Sequence, residues 1–229
     1  MRAVVFFSAS GESRRIAEYL SKRLDLPLME TEKVNTPHFE ELVLVFPVYC
    51  QNLPVPVSRF LGSVSAKRLT AIATYGKMGF GNVLYEIQSR YPMDVIAAAY
   101  IPTKHTYIQN DTPFEDFGAL DPIIEKLSAP SPSSVSLPRL GKDPFADLFP
   151  SLRSRLGISI RKTESCDGCG ICASVCPMGS MRSGRTGSDC IRCLRCVNSC
   201  PSSALKSKAR LPLRLYLSKT KETRTVIYV

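Results

Sequence analysis

Residues 3–24 read AVVFFSASGESRRIAEYLSKRL. Ala3–Phe7 is a near-continuous apolar run, as strands buried on both faces of a parallel sheet are. Small residues follow through Gly11. From Glu12 to Leu24 the apolar residues Ile16, Ala17, Leu20 and Leu24 then recur at helical spacing. Strand, small-residue turn and helix make the opening half of a βαβ unit. The pattern repeats downstream. Leu26–Met29, Leu42–Phe46, Leu69–Thr74 and Val95–Ile101 read as strands. Pro54–Leu61, Phe80–Tyr91 and Phe117–Leu127 read as helices, the first opening on prolines that suit a first turn. Residues 1–127 are therefore expected to form an α/β domain, a doubly wound parallel five-stranded sheet.

In such a sheet, ligands bind beyond the carboxyl ends of the strands. Three loops fall there. The first, Ser8-Ala9-Ser10-Gly11-Glu12-Ser13, presents hydroxyls and backbone amides at a helix N-terminus, which suits a phosphate. A plain helix cap would look similar, and the Gly-Lys-Ser/Thr ending of a P-loop is missing. The second is Pro47-Val48-Tyr49-Cys50-Gln51-Asn52-Leu53-Pro54. The third is Thr74-Tyr75-Gly76-Lys77-Met78-Gly79-Phe80-Gly81-Asn82. On these loops residues 1–127 resemble the flavodoxin family, whose strand order is 2-1-3-4-5 with FMN at the switch point. The resemblance implies a phosphate loop of Ser8, Ser10, Gly11, Glu12 and Ser13. It implies flavin-ring loops carrying Pro47, Val48, Tyr49, Cys50 and Asn52, and Thr74, Tyr75, Gly76, Gly79, Phe80 and Gly81. The single phosphate-sized cradle favours FMN over FAD. The chain has no tryptophan, so tyrosines are left to stack on the ring. The second loop has no glycine, and Asn52 is its residue that tolerates positive φ. Cys50 reads as a small buried apolar residue or a redox group, and His105, in Pro102–Tyr107, as a surface loop or a cover for the site.

Residues 128–157 read as a linker with a possible short helix at Pro144–Leu156. Its stretch Ala129–Pro138, APSPSSVSLP, suits an extended tether. Within 158–208 a 24-residue repeat appears: CDGCGICASVCP from Cys166 and CIRCLRCVNSCP from Cys190. Each copy is C-x2-C-x2-C-x3-C-P. Three thiolates on one loop wrap a cubane, and the fourth cysteine ligates the other cluster. Cluster I is thus assigned Cys166, Cys169, Cys172 and Cys200, and cluster II Cys190, Cys193, Cys196 and Cys176. Zinc ribbons use two separated C-x2-C pairs, and this spacing leaves a cysteine in excess. The segment resembles the bacterial-type two-cluster ferredoxins, with a small α+β fold and two 4Fe–4S clusters. The whole chain resembles the flavodoxin–ferredoxin fusion proteins of anaerobes. Arg192 and Arg195 lie between the cysteines of the second motif only, so cluster II is expected to be the easier one to reduce.

The net charge of +10 is unevenly placed. Residues 1–125 hold 12 Lys+Arg against 14 Asp+Glu, and residues 126–229 hold 18 against 6. Ferredoxins of this type are usually acidic, and this segment is basic. The basic tail, residues 209–229, has a strand expected at Thr225–Val229, and Lys206, Lys208, Arg210, Arg214, Lys219 and Lys221 are expected to dock an acidic redox protein, a ferredoxin or an oxidoreductase. No nucleic-acid motif accompanies the charge. No apolar run approaches the ~20 residues of a membrane span, and the N-terminus lacks a signal-peptide pattern, so a cytoplasmic location is expected. The function expected is electron transfer between two 4Fe–4S clusters, FMN and partner proteins. The alternatives are an FMN-dependent reductase of a small molecule, with Tyr75, Lys104, His105 and Tyr107 as local candidates, and a docking module without flavin. The sequence leaves the oligomeric state open.

Overall fold

The computed structural model describes residues 1–108, 110–144, 146–147, 150–219 and 221–229. The elements run in the order β1 (Arg2–Phe6), α1 (Glu12–Leu24), β2 (Leu28–Glu30), β3 (His38–Pro47), α2 (Val55–Ser63), β4 (Ser65–Tyr75), α3 (Val83–Arg90), β5 (Asp94–Pro102) and α4 (Asp121–Ser128). There follow α5 (Pro150–Gly157), β6 (Ile158–Lys162), α6 (Ile171–Ser174), β7 (Met181–Arg182), β8 (Arg185–Thr186), α7 (Arg195–Asn198), β9 (Leu205–Ala209), α8 (Leu211–Leu217) and β10 (Val226–Tyr228). The main sheet has the order β10-β5-β4-β3-β1-β2. Strands β1 to β5 are mutually parallel, and their order is the flavodoxin-like 2-1-3-4-5.

Alternation along the strands feeds two cores. From β3, Leu42, Leu44 and Phe46 join Val57, Leu61 and Leu84 on one face. Val43 and Val45 join Ile16, Leu20, Ile123 and Leu127 on the other. Each fully buried Leu, Val or Phe contributes about 1.5–3 kcal/mol, so the run Leu42–Phe46 anchors both layers at once. Helix α3 starts at Val83 rather than Phe80, because the backbone at Gly79 and Gly81 is left-handed.

Two segments differ from the sequence reading. The linker is a strap, not a tether. Val135 N–H donates to Val95 O (2.8 Å), Gln88 bonds both Val135 O and Leu137 N–H, and Leu137 is buried in the core. Its serines and prolines hide this docking, which one leucine and backbone hydrogen bonds supply. The tail is not free either. Strand β10 pairs antiparallel with β5, Val226 opposite Tyr100 and Tyr228 opposite Ala98, so the chain returns to the sheet it left at α4. The cysteine-rich region is thus held at both ends. Its own frame is the antiparallel pair β6–β9, with Ile158 opposite Ala209 and Lys162 opposite Leu205.

Candidate redox site

A cavity of about 330 Å³ opens beyond the carboxyl ends of the strands, within the size range of small-molecule sites. Ser10, Glu12 and Ser13 line it from the first loop, Pro47–Asn52 from the second, and Thr74, Tyr75, Gly76 and Gly79 from the third. Twelve of the expected flavin residues thus meet in one space.

The other four stand behind it. Ser8 Oγ accepts the Gly11 N–H (3.1 Å), closing the turn in which Gly11 has φ +97°. Phe80 turns into the core, stacked on Tyr100 at 4.2 Å. Gly81 backs onto Gln51, where an added Cβ would stand 2.7 Å from the Gln51 carbonyl oxygen. Tyr75 lines the cavity but is 2 % exposed, and its hydroxyl donates to Arg224 O (2.6 Å). That leaves Tyr49, half-buried, as the aromatic of the two ring loops best placed to face a ligand. Burial raises its phenol pKa well above the ordinary value, with Cys193 and Tyr107 adding to the effect.

The second loop is a tight turn in which Tyr49 and Asn52 exchange both backbone hydrogen bonds (3.0 and 2.9 Å). Its left-handed residues are Cys50 (φ +51°) and Gln51 (φ +62°), not Asn52. Asn52 instead uses its amide to bind Cys50 O and Ala146 O and accepts from Lys142. A non-glycine residue held left-handed costs roughly 1–2 kcal/mol, and such strain gathers at functional sites.

Within the first loop, Ser13 Oγ shares a hydrogen bond with Thr74 Oγ1 (2.8 Å). Ser10 and the free amides of the first helical turn remain for an anion. Glu12 Oε2 is buried without a hydrogen-bond partner, an acceptor fit for a ligand hydroxyl; Arg15 stands 3.6 Å away.

Of the two expectations for the loop after β5, a surface loop or a cover for the site, the structure favours the second: Thr103, Lys104, His105, Thr106 and Tyr107 also line the cavity. The His105 ring lies against Gly76, where an added Cβ would sit 2.5 Å from Cδ2. Its Nδ1 accepts the Tyr107 N–H (3.1 Å), which puts the ring proton on Nε2. Burial lowers its pKa to about 4, with Lys221 adding to the effect and Asp111 opposing it.

A fifth wall comes from the cysteine-rich region: Ile191, Arg192 and Cys193 line the same cavity, with Leu213 and Tyr216 of α8. Tyr107 Oη donates to Arg192 O (2.6 Å). Arg195 donates twice to Ser8 O (3.2 and 2.7 Å) and pairs with Glu32 (2.7 Å). It also lies 5.1 Å from the Phe7 ring centroid, and Asn198 donates to Ala9 O. No sequence signal distinguishes Arg192 from Arg195, yet they serve different neighbours.

Cys176, Cys190, Cys193 and Cys196 surround one small cavity walled by Ile160, Met178, Met181 and Leu194. This is the crossed ligand set assigned to cluster II. Burial pushes the Cys193 thiol up to about 11. Burial, then Cys193, Cys190 and Cys176, push Cys196 up to about 12. Crowded thiols of this kind are stable as thiolates only beside a cationic metal. Among the described residues no three ligating side chains converge on a point that could hold a single ion; the cysteines ring a space instead. Cys172 and Cys200, from opposite motifs, share the neighbouring apolar cluster. The two fourth cysteines are equivalent by hydrogen bonding: Cys176 Sγ accepts from Ser180 N–H (3.3 Å) and Cys200 Sγ from Ala204 N–H (3.2 Å).

Comparison with known proteins agrees with the cysteine spacing. Residues 160–182 and residues 187–206 each match a 4Fe–4S binding domain. No curated protein matches the sequence. Among solved structures, a Bacteroides uniformis protein assigned as a flavoprotein aligns with a TM-score of 0.39 and 16% identity over 45% of this chain and 91% of that one. A flavodoxin from the domain Archaea aligns with a TM-score of 0.34 and 19% identity over 42% and 78%. At these scores the alignments carry no weight, and the strand order supports the fold by itself. The chain therefore joins a flavodoxin-like α/β domain to a ferredoxin-type region with two 4Fe–4S binding motifs.

Proposed function

We propose that this protein is an electron-transfer iron–sulfur flavoprotein that binds FMN and two 4Fe–4S clusters. The observation that carries the reading is the shared wall: the cavity that receives the three flavodoxin-type loops is also lined by Cys193 of the second cysteine motif. When bound, the clusters pass electrons singly and the flavin accepts one or two.

The chain's own residues supply position. Ser10 and the α1 amides would hold the phosphate of FMN. Glu12 Oε2 would accept from a ligand hydroxyl, and Tyr49 would lie against the ring. His105 stays neutral and offers Nε2–H to the cavity. Leu213 and Tyr216 of α8 also line the cavity and add apolar surface to it.

The external partner is read as an acidic one-electron redox protein. Register places Arg161 opposite Lys206 and Ser159 opposite Lys208 on one face of the β6–β9 pair, and like charges directly opposite are unfavourable without a counter-charge. Ile160 and Leu205, on the other face, pack toward the cysteines.

The neutral His105 ring with Lys104 and Tyr107 around the cavity also favours a second reading, reduction of a small molecule by the flavin; oxidation of reduced protein only on addition of such a molecule would select it. The primary test is anaerobic purification with iron, sulfide and flavin analysis. About eight irons per chain and acid-released FMN are expected, and Cys176→Ala should damage cluster II more than cluster I. Stoichiometric zinc, or an α/β domain that takes up no FMN, would overturn the reading.

A further inference from the structure

The internal repeat isolates one residue. Its two copies share two left-handed positions: Gly168 (φ +77°) and Gly170 (φ +78°) of the first correspond to Arg192 (φ +56°) and Leu194 (φ +63°) of the second. Helices α6 and α7 begin one residue after the second position in each copy. The fold therefore asks for a left-handed residue here, and glycine meets that need without strain. In the second copy an arginine stands there at a cost of roughly 1–2 kcal/mol.

Its side chain is in an equally unusual place. Arg192 is 9 % exposed. One guanidinium nitrogen, Nη1, donates to Cys190 Sγ (3.4 Å). Nε is buried without a partner. The residue also lines the cavity that holds the three flavodoxin-type loops, and its carbonyl is held by Tyr107. Arg195 is occupied elsewhere, on Ser8 O and Glu32. A buried cation with one sulfur contact and one unsatisfied donor is costly unless negative charge gathers around it.

We propose that Arg192 is the tuning residue of the junction between cluster II and the flavin, and that cluster II is the flavin-side cluster while cluster I faces the external partner. This rests on the cofactor reading above. One positive charge set between the two sites stabilises an added electron on either side of it. In the first copy Gly168 stands in the equivalent place, and residues 161–171 around Cys166 and Cys169 are exposed apart from Cys166 itself, which is half-buried. Arg192 makes or breaks no covalent bond and moves no proton. Electrons arrive singly from an external one-electron redox protein, and protons for the reduced flavin come from water.

The test uses the reconstituted full chain and the variant Arg192→Gly, which restores the residue of the first copy and removes strain, so folding is expected to survive. Redox titration is followed by electron paramagnetic resonance, with cluster II identified as the signal lost in Cys196→Ala. In R192G the reduction constant of cluster II should fall about tenfold, equivalent to 59 mV for one electron. The potential of the bound flavin should fall with it, and that of cluster I should stay unchanged. Arg192→Lys should lie between. An unmoved cluster II, or equal shifts of both clusters, would overturn the proposal. If the purified protein holds clusters but no flavin, the flavodoxin reading falls, while the cluster II shift still decides the role of Arg192 at its thiolate.

Discussion

At the scale of single residues, the junction depends on Arg195. Its double hydrogen bond to Ser8 O and the Asn198 bond to Ala9 O pin two carbonyls on the side of the turn that faces the cysteine-rich region. A pinned carbonyl fixes the peptide plane, so the following amides, those of Ala9 and Ser10, are held pointing the opposite way. Arg195→Ala should therefore weaken FMN binding about tenfold, the loss of one charge-assisted hydrogen bond's worth of order, with FMN titration of the apoprotein as the measurement. His105 gives a second prediction, on pH. Its folded pKa, about 4, lies below the unfolded value near 6.5. The unfolded chain therefore binds a proton that the native chain refuses, and stability falls as pH drops from 6.5 toward 4. Between pH 6.5 and 5 the loss should approach about 2 kcal/mol, and His105→Asn should abolish it in denaturant titrations at successive pH values. Asp111 acts lower. Desolvation works against its ionised form, but the His105 amide, Lys77 and Lys221 outweigh it and hold the pKa near 2. Its contribution is complete above about pH 4 and is lost only as pH falls through 2.

Among elements, the C-terminal segment does most to fix the two halves together. Strand β10 covers the β5 edge, which would otherwise expose a row of unpaired backbone groups. The preceding turn is tied by Lys221 to Asp111 (3.1 Å), by Glu222 N–H to Lys77 O (2.8 Å) and by Tyr75 Oη to Arg224 O (2.6 Å). Lys77 and Asp111 in turn hold the loop that carries His105. Truncation after residue 220 should thus lower stability by several kcal/mol, since a core-edge strand and a half-buried ion pair are lost together, and should loosen flavin binding. Thermal unfolding and FMN titration of the truncated chain check both; an unchanged flavin affinity would show that the tail does not order the cavity. Little of this was legible in sequence. The strands were, because Ala3–Phe7 and Leu42–Phe46 are continuous apolar runs whose physics is local. The two 4Fe–4S binding motifs were, because their cysteine spacing is itself the signature. The tail strand was also legible, near Thr225–Val229, but its pairing and the strap were not, because residues such as Leu137 and Tyr228 find their partners 40 to 130 positions away. The Cys50–Gln51 turn was missed because no glycine marks it.

For the whole molecule, the charge asymmetry decides where a partner meets it. The excess of basic residues in 126–229 was expected to dock a partner through Lys206, Lys208, Arg210, Arg214, Lys219 and Lys221, and of these Lys221 is committed to Asp111; elsewhere in this half Arg195 is committed to Glu32 and Lys142 to Glu86 and Asp147. Those charges hold the protein together and are not free to attract anything. Arg161, Lys206 and Lys208 are different. They are exposed, lie on one face of β6–β9 by register, and sit one strand layer from the cysteines, a short distance for an electron arriving from outside. Reversing them should act on encounter rather than on cofactors. The triple variant Arg161→Glu, Lys206→Glu, Lys208→Glu should keep its iron and flavin content and its cluster potentials nearly unchanged. Its rate of reduction by an acidic ferredoxin at low salt should fall at least about tenfold, since steering of this kind raises association rates by 10 to 10³. The wild-type rate should fall toward that of the variant as salt rises past about 0.1 M, where the Debye length shortens to ~10 Å. The variant's own rate should depend little on salt, or rise with it as repulsion is screened. Charge reversal of Lys219 and Arg224 in the tail is the control, and should change the rate far less. A triple variant reduced as fast as wild type at every salt concentration would remove β6–β9 as the docking face. Tight binding of duplex DNA lost in the same variant, with electron transfer untouched, would assign the patch to nucleic acid instead.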